Sequence, residues 1–105
     1  MENRAIDQAA PDRAELEAFI RDGDQYAFQA LVEKYRRLAF SAALRRCGQR
    51  ELAEEATQNA FAVLARKARQ LRRHPTLSGW IHRTAVLEAS TMIRAERHAC
   101  ANTPN

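Results

Sequence analysis

The amino-acid sequence predicts an all-α protein, a compact bundle of about four helices, and three observations carry that prediction. Only three Gly and three Pro occur in 105 residues, while Ala, Leu, Arg and Glu dominate. Such unbranched side chains lose little rotamer freedom in a helix. The apolar residues recur with helical spacing through most of the chain. Val, Ile, Thr and Tyr never form an alternating run, so no strand is expected. A chain of this length has room for one domain and one modest core.

Taken in order, residues 1–11 show no period and are expected to form a flexible N-terminal arm. Asp12 and Glu15 have capping-box spacing with Asp in the capping role. The helix they open places Leu16, Phe19 and Ile20 on one face and should stop at Asp22-Gly23. Asp24 can cap a second helix, in which Phe28, Leu31, Val32, Tyr35, Leu38, Ala39 and Ala42 share one face and Cys47-Gly48 marks the end. A third helix is predicted from Arg50 to Leu71. Its buried stripe is Ala53, Ala56, Ala60, Phe61, Leu64, Ala68 and Leu71, and these small residues make it the expected centre of the bundle. Pro75 interrupts a connector over 72–78. Thr76 or Ser78 then caps a fourth helix bearing Leu77, Trp80, Ile81, Thr84, Ala85, Met92 and Ile93 near one face. The domain is expected over 12–98, with a flexible tail over 99–105.

The sequence disfavours several function classes. No apolar stretch is long enough to span a bilayer, and no basic-then-apolar leader opens the chain, so a cytoplasmic protein without membrane contact is expected. Cys47 and Cys100 sit in no paired motif, which fits a reduced environment. There is no Gly-rich phosphate loop, nucleophile elbow or metal-binding His pair. His74, His82 and His98 lie eight and sixteen residues apart, away from the cysteines. Adjacent Glu54 and Glu55 point to different sides of a helix. No catalytic residue, metal or cofactor is therefore expected, and the chain is not read as an enzyme.

Charge is unevenly distributed along the chain. Residues 1–35 hold four Lys/Arg against eight Asp/Glu, whereas residues 36–105 hold thirteen against five. A basic C-terminal two-thirds fits a polyanionic partner, nucleic acid first, as well as a merely solvated surface. Within the third helix Glu51, Glu54, Glu55 and Gln58 fall at i, i+3, i+4 and i+7, one continuous acidic stripe. Acids in a first turn suit the helix dipole by about 0.3–1 kcal/mol each, which explains the stripe without a partner. It also suits docking to a basic helix, where charges set orientation and association rate. The basic segment 66–74 contains Arg69, Arg72, Arg73 and His74, and Arg83, Arg94 and Arg97 continue it. Arginine's planar fork matches phosphate oxygens. Trp80 could stack on a base, although its place beside Leu77 and Ile81 favours a core role.

Three blocks together resemble region 2 of the sigma-70 family, most closely the extracytoplasmic-function (ECF) group. They are Asp24-Gln25-Tyr26-Ala27-Phe28-Gln29-Ala30-Leu31-Val32-Glu33-Lys34-Tyr35, Ala53-Glu54-Glu55-Ala56-Thr57-Gln58-Asn59-Ala60-Phe61, and Trp80-Ile81-His82-Arg83-Thr84-Ala85. The resemblance implies a transcription initiation module. By it, Glu55, Gln58 and Asn59, flanked by Glu51 and Glu54, contact the coiled coil of the RNA polymerase beta-prime subunit. The connector captures an unstacked base of the promoter −10 element, and the last helix follows the non-template strand. The implied DNA-binding set is Arg69, Arg72, Arg73, His74, Trp80, Arg83, Arg94 and Arg97. An anti-sigma factor is a further implied partner.

The sequence also departs from the family pattern. Asn59 stands where an acid is usual, and Leu87 and Thr91 stand where the family carries polar base-reading residues. No aromatic immediately precedes Trp80. The family's second, helix-turn-helix domain for the −35 element has no counterpart in this sequence, so an excised domain or a truncated relative is expected. A sigma-like interaction protein, holding polymerase or an anti-sigma factor without reading promoters, is the alternative. A general basic DNA-binding bundle ranks last, because no helix pair with an exposed recognition helix is evident.

Overall fold

The computed structural model describes the backbone of residues 4–74 and 76–101, and the side chains of residues 12–74 and 76–98. Four helices follow one another: α1 (Arg4–Asp22), α2 (Gln25–Cys47), α3 (Arg50–Lys67) and α4 (Leu77–Ala101). No strand occurs among the described residues, in keeping with the all-α prediction.

Glycines close the first two helices. Gly23 and Gly48 have φ of 66° and 72°, a region that costs any residue with a Cβ. Each donates its N–H back to the carbonyl four residues earlier, Gly23 to Phe19 at 2.9 Å and Gly48 to Leu44 at 2.7 Å. This single left-handed residue satisfies a carbonyl that the helix end would orphan. Asp24 then starts α2 as expected, its carboxylate accepting from Tyr26 N at 3.0 Å and Ala27 N at 3.1 Å.

α1 departs from expectation. It begins at Arg4, so most of the expected N-terminal arm is helical, and residues 1–3 lie outside the described ones. Asp12 is thus an interior residue of the helix rather than its cap. It is 7% exposed and accepts hydrogen bonds from Lys34 Nζ at 2.8 Å and from the Tyr35 hydroxyl. The carboxylate joins α1 to α2, a pairing that spacing within α1 could not reveal. Burial, then the Asp12 carboxylate, pushes the Tyr35 hydroxyl well above its ordinary pKa.

The centre of the bundle is α2, which packs against each of the other three helices; the expected centre, α3, packs chiefly against α2 and α4. Three neighbours widen the arc that α2 buries. Phe40 and Leu44, outside the expected stripe, pack against the core, while Leu38 at the stripe's edge is 36% exposed. Alanines form the seams: Ala39, Ala42 and Ala43 of α2, Ala53, Ala56 and Ala60 of α3, and Ala85 and Ala89 of α4 are all buried. Small side chains let backbones approach, and Leu31, Leu64 and Ile81, all fully buried, fill the space between the seams.

α3 stops at Lys67, four residues before the expected Leu71. The chain tightens there into turns, with Leu71 N donating to Ala68 O at 3.1 Å and Arg72 N to Arg69 O at 3.3 Å. Ala68 and Leu71 remain buried, so the packing stripe outlasts the helix that begins it. Thr76 precedes α4, and its carbonyl accepts from Trp80 N at 3.3 Å. Of the tail expected over 99–105, residues 99–101 continue α4 and residues 102–105 lie outside the described ones.

Candidate functional site

The acidic stripe on α3 is presented to solvent. Glu51, Glu54, Glu55 and Gln58 are exposed and Asn59 is half-buried, while Ala53, Ala56, Thr57, Ala60 and Phe61 face the core. Thr57 was not foreseen as buried. Its hydroxyl donates to Ala53 O at 2.7 Å, which lets a polar residue enter the core without an unpaired group.

One edge of the stripe borders a groove between α2 and α3 of about 640 Å³. Val32, Arg36 and Phe40 line it from α2, and Arg50, Glu54, Thr57, Gln58 and Phe61 from α3. Glu54 and Gln58 thus belong to the groove, whereas Glu51, Glu55 and Asn59 do not line it. Arg50 pairs with Glu54 at 3.7 Å and lies 5.9 Å above the Phe40 ring. The pair is exposed and weak by itself. Its chemical effect is to set a carboxylate and a guanidinium beside an aromatic floor. Arg36 and Phe40 were absent from the sequence-based set; the available signal was an aromatic lying off the α2 stripe.

The basic residues fall into two groups. In the connector Arg69, Arg72 and Arg73 are exposed and His74 is half-buried. His74 Nδ1 accepts from Thr76 N at 3.3 Å. Arg72 already has a partner, its Nε lying 2.7 Å from Glu17 Oε2 of α1. The connector therefore leans on α1, where Asp12, Arg13, Leu16, Leu71, Arg72, His74 and Leu77 line a cavity of about 30 Å³. On α4, Arg83, Arg94 and Arg97 are exposed, and Trp80 is half-buried against the core. Sequence reasoning missed Arg46. It comes from the end of α2 and donates through Nε to Ser90 Oγ at 2.9 Å, adding a cation beside α4. No local pattern could have joined these two positions.

Among the described residues, no group of three or more His, Cys, Asp or Glu is gathered as a metal ion would require. No described helix is long and apolar enough to cross a membrane. Cys47 is half-buried, with its thiol directed at Gln49 O at 3.4 Å; the Cys100 side chain lies outside the described ones.

The bundle thus presents an acidic, groove-edged face on α3 and a basic face on α4. The sigma-70 region 2 family model matches residues 31–99, and the chain belongs to that family. The match runs from the second turn of α2 through α4 and leaves α1 outside. No curated protein and no solved structure gives a significant match. Region 2 belongs to non-enzymatic transcription factors and has a role in engaging RNA polymerase and opening promoter DNA.

Proposed function

We propose that this chain is a region 2 module of the ECF type that docks on the beta-prime coiled coil through α3 and engages the opened −10 element through α4 and the connector. The observation that supports docking is the groove between α2 and α3, floored by Phe40 and Phe61 and edged by Glu54, Gln58 and Arg50. An apolar centre with a charged rim is the usual anatomy of a protein interface. Glu51, Glu55 and Asn59 extend that rim. A basic helix laid along α3 would meet carboxylates that no described internal cation holds, apart from the exposed Arg50–Glu54 pair.

Docking is tested by retention of core polymerase on the tagged chain. Glu55→Arg combined with Gln58→Ala should reduce retention at least tenfold, and Glu54→Arg should reduce it similarly. Wild-type retention no better than that of these variants would sink the docking claim.

A second reading is a sigma-like protein that occupies polymerase or an anti-sigma factor without reading promoter sequence. Leu87 on the exposed face of α4 supports it, because an apolar side chain cannot hydrogen-bond a base edge. Binding to single-stranded −10-like oligonucleotides separates the two readings. Sequence-blind, steeply salt-dependent affinity favours the second, since phosphate contacts release counterions whatever the bases are.

A further inference from the structure

Leu87 is 59% exposed, in the middle of a 25-residue helix whose other face is buried. A lone exposed leucine is ordinary. This one stands in a particular setting. Arg83, Leu87, Thr91 and Arg94 fall at i, i+4, i+8 and i+11, a single stripe on the solvent side of α4. Thr91 donates its hydroxyl to Leu87 O at 3.0 Å. With its proton committed to its own helix, that hydroxyl has no donor left for a base, and the γ-methyl is the apolar group Thr91 can offer a partner. Two apolar groups therefore lie one turn apart between two exposed arginines.

The surroundings are cationic. Arg46 is held against α4 by Ser90, whose own hydroxyl donates to Val86 O at 2.9 Å. The acids of α4 are Glu88 and Glu96, and helical periodicity puts both off the stripe. Glu96 is engaged elsewhere, accepting from Gln49 Nε2 at 3.3 Å. A partner for this stripe must be anionic at intervals and apolar in between. An unstacked nucleic-acid strand has that alternation, with phosphates for the arginines and base faces for the leucine.

We infer that Leu87 and Thr91 form a thymine-preferring contact, in which the C5-methyl of an unstacked thymine packs on the leucine side chain and the threonine methyl while Arg83 and Arg94 hold the flanking phosphates. That methyl is the apolar group that sets thymine apart from the other DNA bases at its exposed edge, and apolar side chains are its usual readers. The inference rests on the DNA-binding half of the proposed function. It turns the absence of a polar reader at Leu87 into a different kind of reading.

The test is fluorescence anisotropy of the full 105-residue chain with labelled single-stranded oligo-deoxythymidine and oligo-deoxyuridine, which differ only in the methyl. Deoxythymidine should bind about fourfold more tightly per methyl buried. Leu87→Asn, at an exposed site, should bring thymidine affinity down to the deoxyuridine value. Thr91→Ser keeps the hydroxyl, removes the methyl and should narrow the difference. Arg83→Ala should weaken both oligonucleotides equally. Equal wild-type affinities, or a preference that survives both Leu87→Asn and Thr91→Ser, overturns the inference and leaves DNA binding standing. Failure to bind either oligonucleotide at low salt overturns the DNA-binding reading and the inference with it. Self-association lost on Leu87→Asn would assign the stripe to a second copy of the chain and overturn it as well.

Discussion

Asp12 joins two helices through one carboxylate, and its surroundings make its removal costly. The Tyr35 hydroxyl and Lys34 ammonium both donate to it, and Tyr35 is itself 7% exposed. Asp12→Ala would leave the hydroxyl without its acceptor in a buried place, at a cost of about 1–3 kcal/mol. Urea unfolding should show that loss as a lower midpoint with an unchanged slope. Tyr35 also carries a pH signature. Its folded pKa lies above the ordinary value of 10.0, so above that pH the unfolded chain gives up this proton while the folded chain keeps it. Its stabilising contribution is complete below pH 10 and declines as pH rises further. The difference in stability between the wild type and Tyr35→Phe should be constant from pH 7 to 9 and shrink above 10. A constant difference throughout would contradict this assignment. The residue's role was not legible in the sequence. Asp12 with Glu15 has the spacing of a cap, and its actual partners lie 22 and 23 residues away.

The four helices were legible in the sequence because their buried faces are local patterns, although the α1 start and the α3 end fell elsewhere than expected. Asp24 caps α2, Gly48 ends it, and the alanine stripe of α3 is buried as its spacing requires. The joints between elements were not legible, since each depends on residues distant in sequence. Glu17 on Arg72 is the clearest case. It ties α1, which the family model does not cover, to the connector. If the connector grips phosphate, Glu17 and DNA compete for one guanidinium. Glu17→Gln should then raise single-strand affinity, by at most about fivefold given the modest strength of a half-exposed pair. A fall in affinity would show instead that Glu17 holds the connector in its binding shape. The α4 start makes a second prediction at this scale. A Cβ on Gly79 would lie 3.0 Å from Thr76 Oγ1. Gly79→Ala should therefore lose much of the stability that alanine normally adds to a helix, and Gly79→Ala with Thr76→Gly should recover it in thermal unfolding.

At the scale of the whole molecule, α3 and α4 pack against one another and each buries its alanine seam. Their exposed stripes consequently face away from the shared interface, one acidic and one basic. Under the proposed function that division would let polymerase and DNA be bound independently, and salt dependence tests it. A short single strand that covers only the α4 stripe, its phosphates met by Arg46, Arg83 and Arg94, should show a slope of log affinity against log salt near about −2, and a strand long enough to reach the connector a steeper one. Arg83→Ala should make it shallower by about 0.7, the contribution of one phosphate contact. Glu54→Arg, and Glu55→Arg combined with Gln58→Ala, act on the other face and should reduce polymerase retention at least tenfold while leaving that slope unchanged. If they also change the slope, strand and polymerase meet a common surface, and the division of labour between α3 and α4 fails. The charge asymmetry along the sequence pointed to a polyanionic partner for the C-terminal two-thirds, and helical spacing within that same stretch set the acidic stripe of α3 apart. What it could not show is that α2, packed against both helices, supplies a residue to each face: Phe40 to the groove beside α3, and Arg46 to the stripe on α4.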